Sequence, residues 1–111
     1  MAKIAIPVRN GSGSATLDSR FARAPYIAIC DTDGNDMEFV QNPISVEHGA
    51  GPRMVQFLAD KGVEALVVMN IGENALKAAK MAGIRVYRAD DGAKLQDVLA
   101  KFNSNELEEI H

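Results

Sequence analysis

Val63-Glu64-Ala65-Leu66-Val67-Val68-Met69 is apolar without a break from Ala65 onward. A half-buried strand would alternate; a continuous run suits a central parallel strand covered on both faces. Parallel strands must be joined by crossover connections, usually helical, and both flanks of this run read as helices. Upstream, Pro52 to Lys61 places Met54, Val55, Leu58 and Ala59 on one face and stops at Gly62. Downstream, Asn70-Ile71-Gly72-Glu73 turns into a helix of Asn74 to Ala82, ended by Gly83.

The remaining segments fit around this centre. Lys3-Ile4-Ala5-Ile6-Pro7-Val8 is β-branched enough for a first strand, with Pro7 at its end or at a bulge because proline donates no ladder hydrogen bond. Arg9 to Thr16 is polar and glycine-rich, but no Gly-Lys-Ser/Thr follows to make a phosphate loop, so it reads as a flexible connection. Leu17 and Phe21 are spaced for one face of a short turn, and Pro25 pushes Ala24 into an extended conformation. Tyr26 to Asp31, a turn at Asp33-Gly34-Asn35 and Met37 to Val40 complete an antiparallel meander. Ile84 to Arg88 alternates as a last strand, and Leu95, Val98, Leu99 and Phe102 mark a third helix. Ser104 to His111 is acidic and expected to fray. The order βββαβαβα predicts an α/β fold with a mixed five-stranded sheet, one domain over residues 1–103 and a flexible tail over 104–111.

Composition narrows the function classes. A chain of 111 residues can bury a sizeable core without a disulfide or structural metal. A net charge of −3, no basic run and few aromatic residues argue against nucleic acid as a partner. No apolar run approaches membrane-spanning length, and Met1-Ala2-Lys3-Ile4 enters a strand without a secretory apolar region, so a cytoplasmic protein away from the membrane is expected. One cysteine, Cys30, excludes an internal disulfide and an iron–sulfur centre held by several cysteines of one chain.

With the first strand running up, right-handed crossovers make the fourth and fifth strands parallel to it. The upper edge then collects residues 9–23, 41–53, 70–73 and 88–91, and open sheets bind ligands at the carboxyl ends of parallel strands. His48-Gly49-Ala50-Gly51-Pro52-Arg53 lies there. Proline favours the first helical position, which puts the helix start at Pro52. Bare glycine backbone, unpaired helix-start N–H groups and Arg53 make a candidate anion site, with His48 as its metal-binding side chain. Arg20 and Arg23 fall at the same mouth. Cys30, late in the downward strand, falls at the opposite edge and reads as a small buried hydrophobe. The strand order matches the ribonuclease H-like arrangement, yet Lys3 to Val8 and Ala65 to Met69 carry no Asp or Glu to hold catalytic metals. No Ser–His–acid or Cys–His set is present for covalent catalysis.

Ile4-Ala5-Ile6-Pro7-Val8, Leu17-Asp18-Ser19-Arg20-Phe21-Ala22-Arg23-Ala24-Pro25-Tyr26, Asn42-Pro43, His48-Gly49-Ala50-Gly51-Pro52, Gly62 to Val68, Asn70-Ile71-Gly72 and Gly83 to Tyr87 occur in an order similar to one known family. The chain resembles the dinitrogenase iron–molybdenum cofactor biosynthesis domains, which include NifX-type proteins, the C-terminal part of NifB-type proteins and the orange protein group of sulfate reducers. The resemblance implies a three-layer ribonuclease H-like fold and a non-catalytic carrier of an anionic metal–sulfur cluster, an iron–molybdenum cofactor precursor or another Mo–S or Fe–S cluster. It also implies cluster donor or acceptor proteins as partners. On that reading Arg20, Arg23, Gly49, Ala50, Gly51, Arg53 and Asn70 are the cofactor-binding candidates and His48 the metal ligand. Where the family pattern reads Phe-Gly-Arg-Ala-Pro, this chain has Ala22, which disfavours a positive φ and predicts altered loop geometry near Arg23. Two other readings stay open: a site for a nucleotide-like anionic metabolite, and an interaction domain regulating a partner.

Overall fold

The computed structural model describes residues 2–46 and 48–111. Its elements are β1 (Lys3–Val8), a 3-10 turn (Phe21–Arg23), β2 (Tyr26–Asp31), β3 (Glu38–Gln41), α1 (Ala50–Asp60), β4 (Val63–Val68), α2 (Glu73–Met81), β5 (Arg85–Arg88), α3 (Leu95–Asn103) and β6 (Glu108–Ile110). They form one mixed sheet in the order β3-β2-β1-β4-β5-β6. β1 to β3 are successively antiparallel, while β4 lies parallel to β1 and β5 parallel to β4.

The sheet has six strands rather than the expected five. The sixth lies in the segment expected to fray: Val86, Tyr87 and Arg88 of β5 pair antiparallel with Ile110, Glu109 and Glu108. The acidic character that suggested a solvated tail is what suits it to a basic neighbour. Arg85 meets Glu109 at 3.2 Å and Arg88 meets Glu108 at 3.6 Å, while Ile110 packs against the core.

Both faces of the sheet are covered. On one, Met54, Val55 and Leu58 of α1 and Ala75 and Ala79 of α2 pack on Ala5, Ile27, Ile29, Leu66 and Val68. On the other, Leu95, Val98 and Leu99 of α3 pack on Ile4, Ile6, Val8, Ala28, Cys30, Ala65 and Val67. Successive residues of β1 and β4 therefore feed opposite cores, which is why the Ala65–Val68 run has no polar side.

Pro7 sits inside a central strand, opposite Ile27. The β1–β4 register runs from Lys3 to Ala5, and the returning chain lies beside the rest of β1: Val8 bridges Leu17, and the Asp18 N–H donates to the Pro7 carbonyl at 3.0 Å. The N–H and C=O of a strand residue point the same way. The donor that proline lacks would therefore have faced this irregular segment, and its loss removes no bond to β2.

The Arg9–Thr16 loop is tied down more than its composition suggests. The Arg9 N–H donates to the Thr16 carbonyl at 3.0 Å, Thr16 bridges Lys94, Ala15 is fully buried, and Arg9 pairs with Asp91 at 2.6 Å. Leu17 and Phe21, expected on one face of a turn, belong to opposite cores. Between them the chain passes over the upper edge of the sheet.

The sixth strand leads to a direct expectation. Ile110→Asp should lower stability by about 1–3 kcal/mol, because it places a charge against the core. Amide exchange at Val86 and Arg88 should accelerate with it. Unchanged protection of β5 would show that β6 contributes nothing to the sheet.

Candidate functional site

Because β1 and β4 point the same way, α1 and α2 both begin at the upper edge. Their first turns open onto one groove of about 420 Å³, lined by Phe21 and Ala22 of the 3-10 turn, Gly49 to Pro52, and Gly72 to Ala75. Each helix start presents unpaired amides and a partial positive charge.

α1 begins at Ala50, two residues before the expected Pro52, with Gly49 as N-cap at φ +73°. Proline is accommodated here because a first-turn N–H has no intrahelical partner to lose. The Arg53 N–H donates to the Gly49 carbonyl at 3.2 Å, so the amides facing out of α1 are those of Ala50 and Gly51. On α2 the Leu76 N–H reaches Gly72 at 2.9 Å, leaving Glu73, Asn74 and Ala75 as the first-turn amides.

The two glycines read as bare backbone have separate structural reasons. Gly49 occupies a left-handed conformation that an L side chain rarely adopts. Gly51 sits where a Cβ would lie 2.9 Å from the Ala75 Cβ, closer than real Cβ atoms approach. A side chain at either position would push the helix starts apart or strain the turn.

Among the candidates from sequence, Gly49, Ala50 and Gly51 line the groove. His48, Arg23, Arg53 and Asn70 are exposed and border it along the chain without lining it. Arg20 is engaged elsewhere. Its Nε and Nη2 donate to the two carboxylate oxygens of Asp18 at 2.9 and 2.7 Å, and its backbone N–H donates to Asp18 Oδ1 at 2.8 Å. Asp18 is 2% exposed, at the point where the chain crosses the sheet edge. The Arg20 guanidinium holds the Asp18 carboxyl below its ordinary value, outweighing the opposite effect of burial.

Two further features of the groove escaped sequence reasoning. Glu73 contributes a carboxylate at the start of α2, 3.5 Å from Lys77. Asn42 lies behind the 3-10 turn, its Nδ2 donating to the carbonyls of Ala22 and Ala24 at 3.0 and 2.7 Å. The Asn42-Pro43 dipeptide was the only sequence signal for it. Ala22 fits its turn without strain, since among the described non-glycine residues only Asp36 and Asn105 have positive φ.

Cys30 faces the α3 core at the far end of β2, and burial pushes its thiol up to about 11. Among the described residues, no group of three or more His, Cys, Asp or Glu side chains could hold a metal ion. No helix among them is long and apolar enough to cross a membrane.

Two tests probe this construction. Gly51→Ala should cost about 1–3 kcal/mol through overpacking. Adding Ala75→Gly should recover part of that loss in a double-mutant cycle, and simple additivity would deny the contact. A carboxyl with a depressed folded pKa stabilises the fold above the ordinary value of 3.8 and loses that contribution as pH falls through the folded value. Asp18→Asn should therefore lower stability at neutral pH and flatten the decline below about pH 4. Superimposable acid-unfolding curves for the two proteins would remove the ion pair from the account.

The comparisons agree with this architecture. The sequence model of the family described as dinitrogenase iron-molybdenum cofactor matches residues 2–105. An uncharacterized protein of Methanocaldococcus jannaschii is 29% identical, over 97% of this chain and 91% of its own. The structure of the apo form of the orange protein from Desulfovibrio gigas superposes with a TM-score of 0.92 at 28% identity, covering 99% of this chain and 93% of that one. A NifB-like protein from Thermotoga gives 0.83 at 43% identity, over 98% and 93% of the two chains. With a match spanning nearly its whole length, the chain belongs to the dinitrogenase iron–molybdenum cofactor family.

Proposed function

We propose that this protein is a non-catalytic carrier that holds an anionic metal–sulfur cluster at the upper edge of the sheet, an iron–molybdenum cofactor precursor or another Mo–S or Fe–S cluster. The observation that carries this reading is the convergence of two helix N-termini, α1 and α2, on one glycine-lined groove. Cluster sulfides accept hydrogen bonds from such amides, and two aligned dipoles favour negative charge between them. His48, exposed beside Gly49, supplies a ligand to one metal. A single imidazole makes the attachment reversible, as a carrier requires. Arg23, Arg53 and Asn70 border the groove and add positive charge and a polar contact at its rim, while the Asp18 carboxylate offsets the charge of Arg20.

Membership of the family and likeness to the orange protein and the NifB-like protein support a cluster as the cargo. The strand order 3-2-1-4-5 with β2 antiparallel supports a ribonuclease H-like ancestry for the sheet, with the sixth strand added at one edge. A carrier needs donor and acceptor proteins, and we place that exchange in the cytoplasm.

Anaerobic incubation with tetrathiomolybdate, and separately with iron and sulfide, should give a protein-bound visible chromophore that survives gel filtration. His48→Ala should weaken it about tenfold, equivalent to roughly 1.4 kcal/mol. Calorimetry with nucleotides on metal-free protein should give no heat. Heat with a nucleotide and no chromophore under any cluster condition would overturn the carrier reading in favour of a metabolite site.

A further inference from the structure

We infer that Asn42 is a positioning residue for the groove, clamping its 3-10 wall to the loop that leads to His48. The inference rests on the carrier reading for the ligand's identity, while the clamp itself stands on hydrogen bonds within the chain. Asn42 follows β3 directly and is half-buried. Its side-chain nitrogen donates to the Ala22 carbonyl at 3.0 Å and the Ala24 carbonyl at 2.7 Å. Its side-chain oxygen accepts from the Ile44 N–H at 2.8 Å, and its own N–H donates to the Pro25 carbonyl at 3.0 Å. A primary amide has two donors on nitrogen and an acceptor on oxygen, and this side chain uses both kinds at once.

These bonds join segments far apart in sequence. One is residues 22–25, whose Ala22 lines the groove beside Phe21. The other is residues 42–44, from which the chain continues to His48 and to Gly49, the N-cap of α1. The 3-10 turn is only three residues long, with a backbone bond from the Arg23 N–H to the Arg20 carbonyl. Burial of Phe21 anchors the turn to the core but leaves its carbonyls to be oriented. Asn42 orients that of Ala22, together with that of Ala24 just past the turn. It thereby holds the groove's 3-10 wall in one conformation, and so the wall against which a cluster must sit.

Aspartate has nearly the same shape but offers only acceptors, so Asn42→Asp sets an anion against two carbonyl oxygens while keeping a partner for Ile44. In the full chain without ligand, the backbone amides of Phe21, Ala22 and Arg23 should shift or broaden in nitrogen–proton NMR spectra, with those of β1 and α3 unmoved. Tetrathiomolybdate, titrated anaerobically at a temperature where the variant is folded, should bind at least tenfold more weakly. Val98→Ala, in the opposite core, should lose stability yet bind as the wild type does. Asn42→Ala, which removes the donors without adding charge, gives the same two readouts if the aspartate variant unfolds. Unshifted turn amides, or wild-type affinity in a folded Asn42 variant, would overturn the inference. If the wild type fails to bind, the carrier reading falls together with the ligand part of this inference. The amide shifts then decide the clamp alone.

Discussion

Parallel alignment of β1, β4 and β5 constrains everything built at the upper edge. β4 and β5 are each reached by a helical crossover, and every helix starts at the end where the preceding upward strand stops. α1, α2 and α3 accordingly begin on the same side of the sheet, the first two over one face and the third over the other. They do not begin alike. The first amide of α3 is already taken by the Ala15 carbonyl at 3.0 Å, because the Arg9–Leu17 segment folds down beside it. α1 and α2 instead open onto a groove walled by glycine and alanine.

The groove's dimensions come from packing and its electrostatics from what the packing leaves exposed. Gly51 against Ala75 lets the helix starts approach, and Phe21 reaches into the core beneath them. Charge is arranged less generously than a count of arginines suggests, since Asp18 takes up Arg20 and Glu73 faces the groove. The partial charges of two helix ends are fixed in place by the backbone, whereas long exposed arginine side chains must be ordered before they contribute.

The sheet's centre was readable because its signals are local. The unbroken run at Ala65–Val68, the Pro25 that starts Tyr26–Asp31 and the glycines ending α1 and α2 each state their role within a few residues. β6 was not readable, because three acidic-to-apolar residues make a strand only beside Arg85 and Arg88. The start of α1 was misplaced because proline is tolerated throughout a first turn, so Pro52 marks a helix without marking its first residue. At the site, glycines before a helix were legible. The Gly51–Ala75 contact, the Asp18–Arg20 fork and the bonds of Asn42 were not, since each depends on how the chain turns or on residues distant in sequence.

β3 and β6 form the two flanks of the sheet, four and three residues long. An open flank is a row of unpaired backbone groups, a template for pairing with another chain. Here each row is brief, and carboxylates at Glu38, Glu108 and Glu109 stand along them. A second copy aligning there would gain few hydrogen bonds, and these carboxylates already have cationic partners in Lys61, Arg88 and Arg85 of the same chain. Short flanks thus limit what the sheet can gain by pairing edge to edge.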